Sequence, residues 1–231
     1  MPAPTAGTGR PRFAALRREG SFTAIWVVAA LLFAVSPLIA SGSLSQASLN
    51  AMLPFAGVLA IAAIGQTLVI QQGGLDLSVP GTFSLGVVLV VMVPGGDASK
   101  LWLGLLVVVA AGLAAGLANG LAVTRLGITP LVATLGMNGV LLGVQQQVTH
   151  GSINYTAPAN WADVVGQKLL GVSVIAWIAL VVTVLVAIAM RRTVWGREFE
   201  LVGAGPRAAR AAGLPVARHQ VAAYATAGVC Y

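Results

Sequence analysis

Continuous apolar runs, each about as long as a lipid bilayer is thick, recur from one end of this 231-residue chain to the other. The first is 22–41 (FTAIWVVAALLFAVSPLIAS), followed by runs at about 51–72, 79–94, 101–123, 128–148 and 171–190, and a seventh opens near 219 and continues to Tyr231. A hydrocarbon core of roughly 30 Å is crossed by about 20 apolar residues in a helix. The runs therefore predict about six spans and the start of a seventh. Barrel strands alternate apolar and polar residues, and these runs do not alternate, which excludes a closed β-barrel. A signal peptide has an apolar stretch of about 7–15 residues; the 22–41 run is longer and reads as an uncleaved span. Hydrophobic residues make up 58% of the chain and charged ones 8%, against roughly 25% charge in soluble domains. The expected class is an all-α polytopic membrane protein, with residues 1–21 as an N-terminal arm and 22–231 as one transmembrane domain.

The net charge of +7 raises nucleic acid as a partner, but the placement of the charges answers it. With a cytoplasmic N-terminus, alternation puts 1–21, 73–78, 124–127 and 191–218 inside and 42–50, 95–100 and 149–170 outside. All eleven arginines (10, 12, 17, 18, 125, 191, 192, 197, 207, 210 and 218) then fall inside, while Lys100 and Lys168 fall outside beside Asp97 and Asp163. That is the positive-inside rule, and it needs no nucleic acid. The N-terminus is expected to be cytoplasmic.

Apolar side chains give membrane helices little reason to prefer each other over lipid, so close packing calls for small residues. Gly112, Gly116 and Gly120 make one stripe in the fourth run, and Gly136, Gly139 and Gly143 a second in the fifth. Inside the runs the polar groups are amides and hydroxyls rather than the carboxylates common in ion-coupled carriers. Gln66, Thr134, Asn138 and Gln145 are candidates to line a solute path, each of which could equally serve as an interhelical hydrogen bond. Such groups suit a neutral polyhydroxylated solute.

Three local patterns stand out. In Gly73-Gly74-Leu75-Asp76-Leu77-Ser78-Val79-Pro80, the glycines end a helix, Asp76 or Ser78 can cap the next, and Pro80 fits a first turn; Gly73, Gly74, Asp76 and Ser78 form either a tight turn or a gate. In 119–136, Arg125 closes one helix, Gly127 permits a turn, and Thr129 with Pro130 opens the next. In 191–218, Pro206 at a first helical position and Gly213 as a left-handed stop bound a helix of about seven residues. So short a helix is marginal alone and is expected to lean on a partner, the alternative being a solvated loop.

The stretches GQTLVIQQGGLDLS (65–78), NGLAVTRLGITPLVATLG (119–136) and GREFELVGAGPRAARAAGLPVARHQVAAY (196–224), in this order, resemble the membrane subunits of bacterial ABC importers for ribose-, xylose- and galactose-type sugars. Pro80 and Gly205 stand where that family usually has glycine and asparagine. The resemblance implies a helical bundle like that of type II ABC importer permeases, in the bacterial inner membrane, carrying a monosaccharide. It implies a coupling helix at about 205–214 (Gly203, Gly205, Pro206, Arg207, Ala208, Ala209, Arg210, Gly213) that docks on a cytoplasmic ABC ATPase subunit, with the two arginines meeting acidic groups. It further implies a homodimer of permease subunits and a periplasmic or lipid-anchored sugar-binding protein, for which the outer loop with Tyr155, Trp161, Asp163 and Lys168 is the candidate dock; the bland alternative for that loop is an interfacial aromatic belt. Family members usually exceed 300 residues, so the expectation is a C-terminally truncated permease.

No Ser/His/Asp arrangement or phosphate-binding loop is present, and His150 and His219 are too isolated for a metal site. The chain is therefore expected to be no enzyme and to carry no cofactor, with ATP hydrolysed by a separate subunit. An ion-coupled secondary transporter and a non-functional permease fragment remain as competing readings.

Overall fold

A computed structural model of the chain describes residues 13–152 and 166–231, with side chains described from residue 23 onward in the first stretch. Tyr155, Trp161 and Asp163 lie outside the described residues. The chain separates into two units, 1–52 and 53–231.

The first unit holds α1 (Phe13–Ile39) and the start of α2 (Gln46–Gln71). The turn between them is closed within this unit: the Ser48 hydroxyl donates to the Gly42 carbonyl at 2.8 Å and the Ser43 hydroxyl to that of Ser36 at 3.0 Å.

The second unit holds the rest of α2, then α3 (Val79–Met92), α4 (Leu101–Arg125) and α5 (Pro130–Thr149). After a two-stranded hairpin, β1 (Lys168–Leu169) and β2 (Val172–Ser173), come α6 (Val174–Arg192), α7 (Val194–Ala204), α8 (Pro206–Ala211) and α9 (Val216–Cys230). The hairpin pairs Lys168 with Ser173 and Leu169 with Val172, and Leu170 and Gly171 both take positive φ in its two-residue turn, the backbone that matches strand twist. Ser173 then caps α6 by accepting from the Ile175 amide. Between α3 and α4, exposed Asp97 caps a single 3-10 turn; the hydroxyl and amide of Ser99, and then Lys100, hold its carboxyl below the ordinary range.

Burial is inverted relative to a soluble protein. The buried positions include Gly112, Ala115, Gly116, Asn119, Thr134 and Ala227, whereas Trp102, Leu105, Phe83, Leu135 and Leu185 are exposed. Apolar side chains turned outward fit a lipid surround, and small residues turned inward let helix backbones meet. Among the described residues three helices are long and apolar enough to cross a membrane, 46–71, 98–125 and 174–192, and 23–39 and 79–92 are shorter apolar helices. The architecture is that of an all-α polytopic membrane protein.

The first glycine stripe packs. A side-chain carbon on Gly112 would overlap the Gly228 carbonyl, one on Gly116 the Tyr224 carbonyl, and one on Gly120 would press on Val221. The two sets of numbers run in opposite directions, so α4 and α9 are antiparallel at backbone contact. A side-chain carbon on Gly136, Gly139 or Gly143 would meet nothing within 4 Å among the described residues. The same sequence pattern thus marks one covered face and one open face.

Two expected elements differ in detail. The helix expected over about 205–214 occupies Pro206–Ala211, stopped by Gly213 at φ +82°. The segment before it, for which the sequence pattern predicts no helix, is itself one, α7. Thr193 accounts for this: it ends α6, and its hydroxyl accepts from the Gly196 amide at 3.0 Å to start α7.

Candidate functional site

The loop 72–78 is the first of two places where unusual residues converge. Helix α2 ends at Gln71 and Gly73 turns the chain at φ +75°. The loop then runs inward rather than out to solvent. Asp76 and Ser78 are each only 2% exposed and Gln72 6%. Its neighbours are Asn119, six residues inside the end of α4, and Thr134, four residues inside the start of α5. At 1.5 Å per residue the loop sits about 6–9 Å within those helices. Non-helical backbone at such a level persists only where protein groups satisfy it.

Here Thr134 of α5 and the loop's own Asp76 each satisfy a loop amide, and Asn119 of α4 holds the Ser78 side chain. The Leu77 amide donates to the Thr134 hydroxyl at 3.0 Å, and that hydroxyl is itself 2.8 Å from the Pro130 carbonyl. Asp76 Oδ1 accepts from the Ser78 amide at 2.9 Å and the Ser78 hydroxyl at 2.6 Å, while the Asn119 amide donates to the Ser78 hydroxyl at 2.9 Å. Ser78 precedes α3 but its hydroxyl, committed to Asp76, caps nothing. Asn138 of α5 takes over that task, accepting from the Gly81 amide at 2.8 Å, and Gln145 accepts from Ser84 at 2.7 Å. Thr134, Asn138 and Gln145 therefore share one face of α5 and seal it to α3 and the loop. Gln66 lies apart from them, accepting from the Tyr231 hydroxyl at 2.9 Å.

Asn119 lies in the 119–136 pattern but outside the residues that the sequence marks as a site. The available signal was its position, a lone amide beside a glycine stripe in an otherwise apolar run. Asp76 Oδ2, Asn119 Oδ1 and the Tyr224 hydroxyl are buried with no hydrogen-bond partner among the described residues.

Replacing Thr134 by Val strands the Leu77 amide, and a buried unpaired donor costs about 1–3 kcal/mol. Denaturation of the detergent-solubilised chain is expected to show that loss for Thr134→Val and recovery of most of it for Thr134→Ser. Equal losses in both variants would mean that the hydroxyl is not what holds the loop.

The second place is α7–α8–α9. Gly203 lies so close to the last residue of α2 that a side-chain carbon there would overlap the Gln71 carbonyl, and Gln72 donates to the Phe199 carbonyl at 2.9 Å. Helix α7 is thus seated across the end of α2, next to the loop. In α8, Ala209 points inward and is buried with Val202 and Val216, whereas Arg207, Ala208 and Arg210 are exposed. Gly205 is the N-cap residue without a side-chain cap, and Pro206 opens the helix. The exposed face is basic and small, held out by a single apolar anchor.

His219 braces this element from behind. It is 3% exposed, its Nδ1 lies 3.2 Å from the Pro215 carbonyl, and its Nε2 lies 3.4 Å from Glu198 Oε2. A carbonyl only accepts, so Nδ1 carries the proton in that bond. Trp195 stacks on the ring at 5.8 Å and Phe199 meets its edge at 6.5 Å.

Comparison with known proteins adds to this geometry. A family model described as branched-chain amino acid transport system / permease component matches residues 48–230. The chain is similar to the autoinducer 2 import system permease protein LsrC of Salmonella typhimurium (strain LT2), with 31% identity over 198 residues, 85% of this chain and 56% of the relative. It is similar to LsrC of Escherichia coli (strain K12 / DH10B), 29% identical over 92% of this chain and 62% of the relative. A probable ABC transporter permease protein, y4mJ of Sinorhizobium fredii, is 38% identical over 72% of this chain and 50% of its own length. The chain thus spans between half and two thirds of these relatives. No solved structure matches.

Proposed function

We propose, from the premise that the chain belongs to the branched-chain amino acid transport system / permease component family, that it is the membrane-spanning part of an ATP-driven importer. In this reading it crosses a bacterial inner membrane about six times and begins a seventh span, with residues 1–21 and its arginine-rich loops in the cytoplasm. It does no chemistry itself. A cytoplasmic ATPase subunit docks on α8, a second permease copy completes the path, and a solute-binding protein delivers from the opposite side.

The observation that carries the reading is α8. A six-residue helix between Gly205 and Gly213, whose one fully buried side chain among the described residues is Ala209, presents Arg207, Ala208 and Arg210 outward. Isolated, so short a helix has little stability in water; its exposed face is where a partner would steady it. Its base, α7, rests on the end of α2 and so adjoins the loop that Asn119 and Thr134 hold. Movement of α8 thereby has a route to the helices that carry Gln145 and the rest of the seam.

The solute class in this reading rests on charge alone. The Thr134 hydroxyl and the amide oxygens of Asn138 and Gln145 are engaged in the seam, and that of Gln66 with Tyr231 apart from it; all four groups are neutral, which favours a hydroxylated solute of monosaccharide size over a charged amino acid, despite the family's description. Two of the relatives are named for import of autoinducer 2. Buried Asp76, with one oxygen unpartnered, supports the second reading, an ion-coupled carrier.

The test is uptake of radiolabelled pentoses and hexoses by cells lacking the gene and given it back as wild type or as Arg207→Glu/Arg210→Glu. The expected result is that reversing both charges abolishes uptake at unchanged membrane abundance, and that wild-type uptake fails on ATP depletion but survives a protonophore. Uptake that fails with the protonophore while ATP is maintained would establish the ion-coupled reading instead.

A further inference from the structure

A groove of about 530 Å³ runs between α2, α6 and α7, outside the polar seam. Its walls include Ala60, Ala63, Leu68 and Val186, and two hydroxyls, Thr67 and Thr183. Both hydroxyls are spent on their own helices, Thr67 donating to the Ala63 carbonyl and Thr183 to the Ala179 carbonyl, each at 2.7 Å. The walls therefore offer a guest almost no free donors, which disfavours a sugar. The available polar groups sit at one end, where α2 and α6 finish: Gln71, Arg191 and Glu200. Arg191 and Glu200 are exposed, and neither takes part in an ion pair within the described residues.

An apolar channel with one cation and one anion at its mouth is complementary to an amphiphile carrying both charges in its head. Length agrees. From Ala60 to Gln71 the groove wall is about 17 Å at 1.5 Å per residue, close to the roughly 15 Å depth of one leaflet's hydrocarbon. The mouth lies beside the arginine-rich segments that the positive-inside rule assigns to the cytoplasmic surface. Arginine suits a phosphate by its fork of donors, and a carboxylate suits a primary ammonium.

We infer that this groove binds one phosphatidylethanolamine molecule of the cytoplasmic leaflet, its phosphate on Arg191, its ammonium on Glu200 and one acyl chain between α2 and α6. An anionic phospholipid would meet Glu200 as a like charge. The site does not depend on what the protein transports, so it stands or falls apart from the proposed function.

The test is native mass spectrometry of the full chain purified in mild detergent and titrated with palmitoyl-oleoyl phosphatidylethanolamine or the matching phosphatidylglycerol. One phosphatidylethanolamine per chain is expected, held roughly tenfold more tightly than phosphatidylglycerol, the scale of one charge-assisted contact. Glu200→Gln should remove that preference, Arg191→Gln should weaken both lipids, and Ala187→Phe, at an exposed groove position, should block both. Circular dichroism melts show whether each variant folds; if Ala187→Phe does not, Glu200→Gln at its exposed site decides the matter. Equal or tighter binding of phosphatidylglycerol, or phosphatidylethanolamine binding unchanged by Glu200→Gln, would overturn the inference.

Discussion

Gly116→Ala is expected to destabilise the chain by about 3 kcal/mol, although it adds one methyl group to a helix that intrinsically prefers alanine. The reason is what the methyl meets. It would enter the Tyr224 carbonyl, which is backbone and cannot swing aside as a side chain can. Relief requires α4 and α9 to separate along a face where Gly112 and Gly228 are also mutually in contact, and overpacking a well-fitted interface costs about 1–3 kcal/mol even without a helix displacement. In lipid no hydrophobic force presses the two helices back together, since separated helices find equally apolar neighbours. Gly139→Ala is the matched control. Among the described residues a methyl group on Gly139 would meet nothing within 4 Å, so the substitution is expected to be neutral or to gain up to about 1 kcal/mol from helix propensity. Unfolding of the two variants by sodium dodecyl sulfate, followed by circular dichroism in mild detergent, measures the difference. Equal effects would show that α4 and α9 do not approach at backbone distance.

That pair of glycines also shows how far the sequence can be read. Apolar run length locates helices well: the runs at 79–94, 101–123 and 128–148 became α3, α4 and α5 within a few residues. Helix stops were equally legible, because Gly73, Gly127 and Gly213 do take the left-handed backbone their positions suggest. A stripe of small residues says that a face is able to pack, not that anything packs there. The partner of Gly112, Gly116 and Gly120 comes from about a hundred residues further along the chain, and that pairing is a property of the tertiary fold. Helix α7 was missed for a related reason. Gly196 and Gly203 look like loop residues, yet each marks close approach, to Met190 and to Gln71. The seam was half legible. Polar residues inside apolar runs flagged Thr134, Asn138 and Gln145, but capping rules assigned the start of α3 to Ser78 or Asp76, and only the fold reveals that Asn138 caps it from another helix. Local rules apply until a buried network binds their groups elsewhere.

Gly203→Leu is expected to abolish uptake, and for a different reason from the loss in Arg207→Glu/Arg210→Glu. Gly203 brings α7 against the final carbonyl of α2, and Gln72 adds a buried hydrogen bond to Phe199 beside it. A leucine there cannot coexist with the Gln71 carbonyl, so α7 must lift from α2 and carry α8 with it. The charge-reversed protein, in contrast, keeps α7 seated and loses only what α8 presents to a partner, because Arg207 and Arg210 are exposed and make no ion pairs within the described residues. Limited trypsin digestion separates the cases. Cleavage after Arg197, on α7, is expected to accelerate in Gly203→Leu and to stay at the wild-type rate in the charge-reversed chain, with uptake lost in both. Gln72→Leu should fall between, since removing one partner of a buried bond costs about 1–3 kcal/mol without forcing the helices apart. If Gly203→Leu transports normally, the contact between α7 and the end of α2 is not the link between α8 and the loop at 72–78, and coupling must pass instead through α9, which Ala209 reaches by way of Val216.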